Sequence, residues 1–140
     1  MGRIVVGIDG SENSHRSLAW AAEEASLHGS SLHVIHSWTF PAAMPGADGR
    51  PAADLKGAAE KVLEDAIATL GPEPGVEIQR EIANELAAHA LIHASEGADM
   101  VVVGSRGRGG FGGLLLGSVS QQVAQHAHCP IVIIPHADRH

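Results

Sequence analysis

The chain has 140 residues, of which 44% are hydrophobic, 3% aromatic and none Tyr, and it carries a formal net charge of −7. A chain of this length buries roughly 70% of its unfolded surface as one domain, and here the core must be built from Val, Ile, Leu and Ala. The negative balance repels nucleic-acid phosphates and argues against DNA or RNA as main partner; the lone Cys129 excludes an intramolecular disulfide; and no apolar run approaches the roughly 20 residues of a membrane span.

Taken in chain order, Ile4 to Ile8 is a β-branched run of the kind found in strands buried on both faces of a parallel sheet. It is too short for a signal-peptide core, and Asp9-Gly10-Ser11 stops it. With a single cysteine, a reducing, cytoplasmic location is expected. Ser11 is a candidate helix cap. Residues of roughly 12–28 follow as a helix with Leu18, Ala21, Ala22 and Ala25 at helical spacing, ended by Gly29. Leu32 to His36 reads as the second strand, and 39–53 as a Pro/Gly-rich loop. Asp54 to Leu70 reads as the second helix, Val76 to Ile82 as the third strand, and roughly 85–96 as the third helix. Met100 to Val103 is the fourth strand, Ser118 to His126 the fourth helix, and Ile131 to Ile134, bracketed by Pro130 and Pro135, the last strand. Strands alternating with helices predict one α/β domain over residues 1–140 with a doubly wound parallel sheet.

In such sheets ligands sit outside the carboxyl ends of the strands, where the strand order reverses. Two stretches fall at such ends: Gly7-Ile8-Asp9-Gly10-Ser11, and the glycine-rich segment from Gly104 to Ser120. The second has the chemistry of a phosphate cradle. Glycines let backbone N–H groups approach oxygens closely. Gly117-Ser118 opens a helix whose free N–H groups and dipole favour an anion. Ser118 and Ser120 add hydroxyls, and Arg106 and Arg108 bring positive charge to an acidic chain. Two other motifs do not apply. The G-x-G-x-x-G from Gly107 to Gly112 lies late, inside a long loop, whereas a dinucleotide fingerprint opens a helix in the first βαβ unit. There is no G-x-x-x-x-G-K-[ST], so this is not a P-loop.

At this point the sequence resembles the universal stress protein family. Gly104, two residues, Gly107, nine residues and Gly117-Ser118 match the family's G-x2-G-x9-G-[ST] signature, directly after Val101-Val102-Val103. Val5 to Ser11 resembles its first strand and aspartate, Leu32-His33-Val34 its second strand, and Cys129 to Val132 its last. The resemblance implies a five-stranded parallel sheet in the order 3-2-1-4-5, with helices on both faces and ATP, with Mg2+, between strands one and four. By matching position, Gly7 and Asp9 would border the nucleotide and the backbone of Val34 would meet the adenine. Gly104, Ser105, Arg106, Gly107, Arg108, Gly109 and Gly110, with Gly117, Ser118, Val119 and Ser120, would hold ribose and phosphates. It also implies a homodimer through Ile131 to Ile134. One departure is the loop Ala83-Asn84-Glu85-Leu86, which lacks a glycine common in relatives and leaves the start of the third helix open.

Plainer roles stand beside these. Asp9 could cap the first helix. Glu85, His89 and His93 would share a helix face, yet without H-E-x-x-H they read as a solvated face rather than a metal site. Cys129 reads as a packed thiol, Trp20 and Trp38 as packing residues. The functional expectation is a regulatory, ATP-binding module; the alternatives are a slow ATPase and a sensor of another adenine nucleotide such as cyclic AMP. Only Asp9 offers an acid near the glycine loop.

Overall fold

The computed structural model describes residues 2–39, 52–105 and 116–136. The elements follow the expected alternation: β1 (Arg3–Ile8), α1 (Glu12–His28), β2 (Ser31–Ser37), α2 (Ala52–Ala68), β3 (Ile78–Ala83), α3 (Ala87–Ala94), β4 (Met100–Gly104), α4 (Ser118–His126) and β5 (Ile131–Ile134). The sheet order is β3-β2-β1-β4-β5, and every neighbouring pair is parallel. The chain leaves β1 for β2 on one side and returns to β4 on the other. The strand order therefore reverses between β1 and β4.

Alternation along each strand sends successive side chains to opposite faces. Ile4, Val6 and Ile8 point into one core with Leu18, Ala21 and Ala25 of α1 and Leu63, Ala66 and Ile67 of α2. Val5 points the other way, to a second core with Leu91 of α3, Val101 and Val103 of β4, and Val123 of α4. Both faces of β1 and β4 are thus covered, which is why these strands read as unbroken apolar runs. Trp20 packs on the first core, as expected of a packing residue.

The boundaries have local causes. Ser11 caps α1, accepting the Ser14 N–H on its hydroxyl at 3.2 Å. Gly29 ends that helix in the left-handed region at φ +66°, where its N–H donates to the Ala25 and Ser26 carbonyls. Helix α2 starts at Ala52, two residues before the expected Asp54, and ends at Ala68. Strand β3 begins at Ile78 rather than Val76. Helix α3 is shorter than the expected 85–96. Its N-cap, Leu86, is extended and offers no side-chain acceptor. At the other end the fully buried Ser95 intervenes: its hydroxyl donates to the Ile92 carbonyl at 2.6 Å and accepts the His128 N–H at 2.9 Å. That tie fastens the end of α3 to the turn before β5. Glu85 consequently lies outside the helix and does not share a face with His89 and His93, both of which are exposed.

Candidate functional site

The carboxyl edge at the switch point is assembled from the ends of β1, β2 and β4 and the start of α4. At the end of β1, a Cβ on Gly7 would lie 2.8 Å from Cδ1 of the buried Leu91. The missing side chain at Gly7 is therefore what lets α3 settle on β1. Asp9 follows in a tight turn. Its Oδ1 accepts the Ser11 N–H at 2.9 Å, while the Asp9 N–H donates to the Ser14 hydroxyl at 3.3 Å. Asp9 thus shapes the approach to α1, but the cap itself is Ser11, which corrects the reading of Asp9 as the helix cap. Ser14 closes the turn by donating its hydroxyl to the Ser11 carbonyl at 2.9 Å.

At the end of β4 the polar groups of Ser105 are committed to closing the fold. Its N–H donates to the Ile134 carbonyl at 2.8 Å. Its carbonyl accepts the Gly117 N–H at 2.6 Å and the Ser120 hydroxyl at 3.0 Å. The same hydroxyl reaches the Gly117 carbonyl at 3.1 Å. Ser105 and Gly117, which flank the glycine-rich segment in sequence, are thus clamped against each other. Arg106, Gly107, Arg108, Gly109 and Gly110 lie outside the described residues.

The clamp delivers the chain directly into α4. Gly117 is the N-cap, at φ −75° and ψ 171°, and has no side chain with which to cap the helix. The first intrahelical bond runs from the Gln121 N–H to the Gly117 carbonyl at 3.0 Å. The N–H groups of Ser118, Val119 and Ser120 stand ahead of it, outside the helical ladder. Three donors with the positive end of the helix dipole behind them form an anion-receiving arrangement. Ser118 is exposed, whereas Ser120 is buried and its hydroxyl faces inward. The two serines therefore differ: Ser118 is exposed to solvent, and Ser120 holds the clamp.

Val34 is fully buried and lies within the ladder, opposite Val6 on one side and Arg80 on the other. The β2 residues nearest the carboxyl edge are His36 and Ser37. The sequence reading passed over His36. Its Nδ1 lies 3.0 Å from the Ile8 carbonyl, across from its register partner. Its place at the end of an apolar run, one turn of chain from the Pro/Gly-rich loop, was the available signal. Cys129 behaves as a packed thiol: burial raises its pKa, with Arg3 opposing and Asp99 adding to the rise. Among the described residues no group of three or more His, Cys, Asp or Glu side chains could hold a metal ion, and no helix is long and apolar enough to cross a membrane.

This geometry defines the class: a doubly wound α/β protein with an uncapped helix N-terminus at its topological switch point. The sequence matches the universal stress protein family over residues 1–135. It is 40% identical over 133 residues to the Universal stress protein Rv2623 of Mycobacterium tuberculosis, covering 93% of this chain and 44% of that protein. The chain thus spans less than half the length of that relative. A universal stress protein of Archaeoglobus fulgidus solved in complex with dAMP is 26% identical, with a TM-score of 0.70 and coverage of 96% of this chain and 98% of that one. A universal stress protein solved in complex with cAMP shares the fold at 24% identity and a TM-score of 0.74, over 96% of each chain. The chain belongs to the universal stress protein family.

Proposed function

We propose that the protein is a regulatory module that binds an adenine nucleotide at the β1/β4 switch point, and that the nucleotide is ATP carried with Mg2+. The observation that carries this reading is the uncapped N-terminus of α4, presented beside β4 by the Ser105–Gly117 clamp. Those N–H groups suit phosphate oxygens. Arg106 and Arg108 stand next in sequence to the clamp and favour a triphosphate over a monophosphate. The dAMP complex of the archaeal relative supports an adenine base. Gly7 and Asp9 border the ligand from β1, the base lies toward β2 near Val34, and Gly104 to Gly110 with Gly117 to Ser120 hold ribose and phosphates. Magnesium arrives on the phosphates rather than on a protein ligand cluster.

The reading is a binder rather than a rapid catalyst. Ser14 and Ser120 donate their hydroxyls to main-chain carbonyls, and Asp9 accepts a turn N–H. Among the described residues, neither hydroxyl is arranged as a nucleophile with its base. Calorimetric titration with ATP, AMP and cAMP in the presence of magnesium tests the assignment. ATP should bind tightest; a preference for cAMP would make the protein a sensor of that ligand instead.

A homodimer through β5 completes the proposal, with the protein at work in the cytoplasm. Strand β5 is an edge of the sheet, and its interior, Ile131-Val132-Ile133-Ile134, carries no charge. Soluble edges are ordinarily guarded by charge, Pro or a bulge. Pairing with a second copy about a two-fold axis satisfies the backbone. Sedimentation should show a discrete dimer, and Val132→Pro, which removes a ladder donor, should shift it to monomer or precipitate. A wild-type chain that stays monomeric at micromolar concentration would refute the assignment.

A further inference from the structure

The Ile8 carbonyl, 3.0 Å from Nδ1 of His36, can only accept a hydrogen bond. In the neutral ring, Nδ1 therefore carries the proton and Nε2 is left as a bare acceptor. His36 is half-buried, with the Ile8 carbonyl against its Nδ1. A backbone carbonyl at a strand end thus fixes which hydrogen-bonding character this histidine shows to a ligand. It presents an acceptor, and an acceptor selects a ligand with an N–H or O–H at that point.

The position of His36 determines which part of a nucleotide it can meet. The uncapped α4 follows β4, and His36 ends β2, with β1 between them. Neighbouring strands are about 4.8 Å apart, so β2 and β4 are separated by roughly 10 Å across the edge, with His36 on the face that Ile8 shares with α1 and α2, and α4 on the other. A mononucleotide with its phosphates on α4 and its ribose over β1 brings its base, not its sugar, to β2. We infer that His36 reads the base of the bound nucleotide, its Nε2 accepting a hydrogen bond from the exocyclic amino group of a 6-aminopurine. This rests on the nucleotide reading above and adds to it a residue that selects the base. A purine without the 6-amino group leaves Nε2 unanswered, and loss of a partner at a half-buried acceptor weakens binding.

The test uses the full chain, ATP, and purine riboside 5′-triphosphate, which differs from ATP only by lacking the 6-amino group. Affinities are measured by calorimetry with magnesium for wild type and for His36→Phe, which keeps a flat ring without the acceptor. Wild type should bind ATP about tenfold more tightly than the analogue, the order expected for one hydrogen bond at a partly solvated site. In His36→Phe, ATP should weaken by about the same factor and the analogue should change by less than about twofold. Thermal melting shows whether the variant is folded, and the wild-type comparison stands even if it is not. A second readout is the 15N resonance of Nε2 in wild type, which should move upfield with ATP and stay in place with the analogue. Equal affinities of wild type for the two nucleotides, or an Nε2 resonance that ignores ATP, would overturn the assignment while leaving nucleotide binding intact. Binding of neither nucleotide would overturn both.

Discussion

The two ends of the parallel sheet are closed in different ways. At the amino end, charged side chains answer one another. The Arg3 N–H donates to Asp99 Oδ2 at 3.1 Å, and its guanidinium donates to His33 Nδ1 at 3.0 Å, to the Ala94 carbonyl at 3.1 Å and to the Glu96 carbonyl at 3.0 Å. Because Arg3 can only donate, His33 accepts on Nδ1, and its Nε2–H donates to Glu81 Oε1 at 2.8 Å. One arginine thus joins β1, β2 and the end of α3. At the carboxyl end, closure falls mainly to short groups, the Ser11–Ser14 turn and the clamp of Ser105, Gly117 and Ser120, with one long side chain, Arg16, donating to the Pro135 carbonyl at 2.7 Å. These groups bond to the main chain and leave the start of α4 without a side-chain cap. One end is closed by long side chains that complete each other's bonds, the other mostly by short ones that bond to the main chain.

That difference can be broken from either side. If phosphates bind at the glycine segment as proposed, Gly107→Val should lower ATP affinity more than about 100-fold, a loss on the order of 3 kcal/mol, while the thermal midpoint stays put. Tight ATP binding by a folded Gly107→Val protein would remove the carboxyl end as the site. Replacing Arg106 and Arg108 together with Ala should cost about 1–3 kcal/mol in ATP affinity and much less for adenosine, because the lost bonds are charge-assisted and compete with water. Equal losses for the two ligands would show that the arginines do not see the phosphates. At the other end, Arg3→Ala should destabilise the fold by about 1–2 kcal/mol, measured by urea unfolding, and leave ATP affinity within about twofold. A large fall in affinity would show that the ends are coupled.

The smallest effect concerns Cys129, near Arg3 and Asp99. Burial raises its thiol pKa, so the folded state holds this proton more tightly than the unfolded chain. Any stability it contributes is present below the unfolded thiol's pKa and is lost as pH rises through the folded value. A thiol reagent at mildly alkaline pH should therefore react more slowly with the native protein than with the urea-unfolded chain. Equal rates would show that the packing around Cys129 does not protect it.

Much of this architecture was legible in the residues. The runs Ile4 to Ile8 and Met100 to Val103 are apolar because helices cover both faces of β1 and β4, and the sheet order implied by the family resemblance is the one observed. The ends of α3 were not legible. The amino end starts at Leu86 with no side-chain cap, and the carboxyl end depends on Ser95, whose hydroxyl bonds to a residue more than thirty positions away. The packing of Leu91 against Gly7 was not legible either, because it is a contact with no local signature. The Ser11 cap was legible and is observed, whereas Asp9, the other candidate, is held two residues earlier in its own turn. His36 was passed over because its meaning lies in a carbonyl on the neighbouring strand, which becomes visible only once the register of β1 and β2 is known.

The central claim is that an adenine nucleotide lands on the start of α4 at the carboxyl end of the sheet. The most direct measurement is an NMR titration of the 15N-labelled chain with ATP and magnesium, following backbone amides at both ends. The account predicts the largest shifts at Ser118, Val119 and Ser120, smaller ones at Asp9 and His36, and almost none at Arg3, His33 and Asp99. Shifts concentrated at the amino end, or no shifts at millimolar ATP, would contradict it.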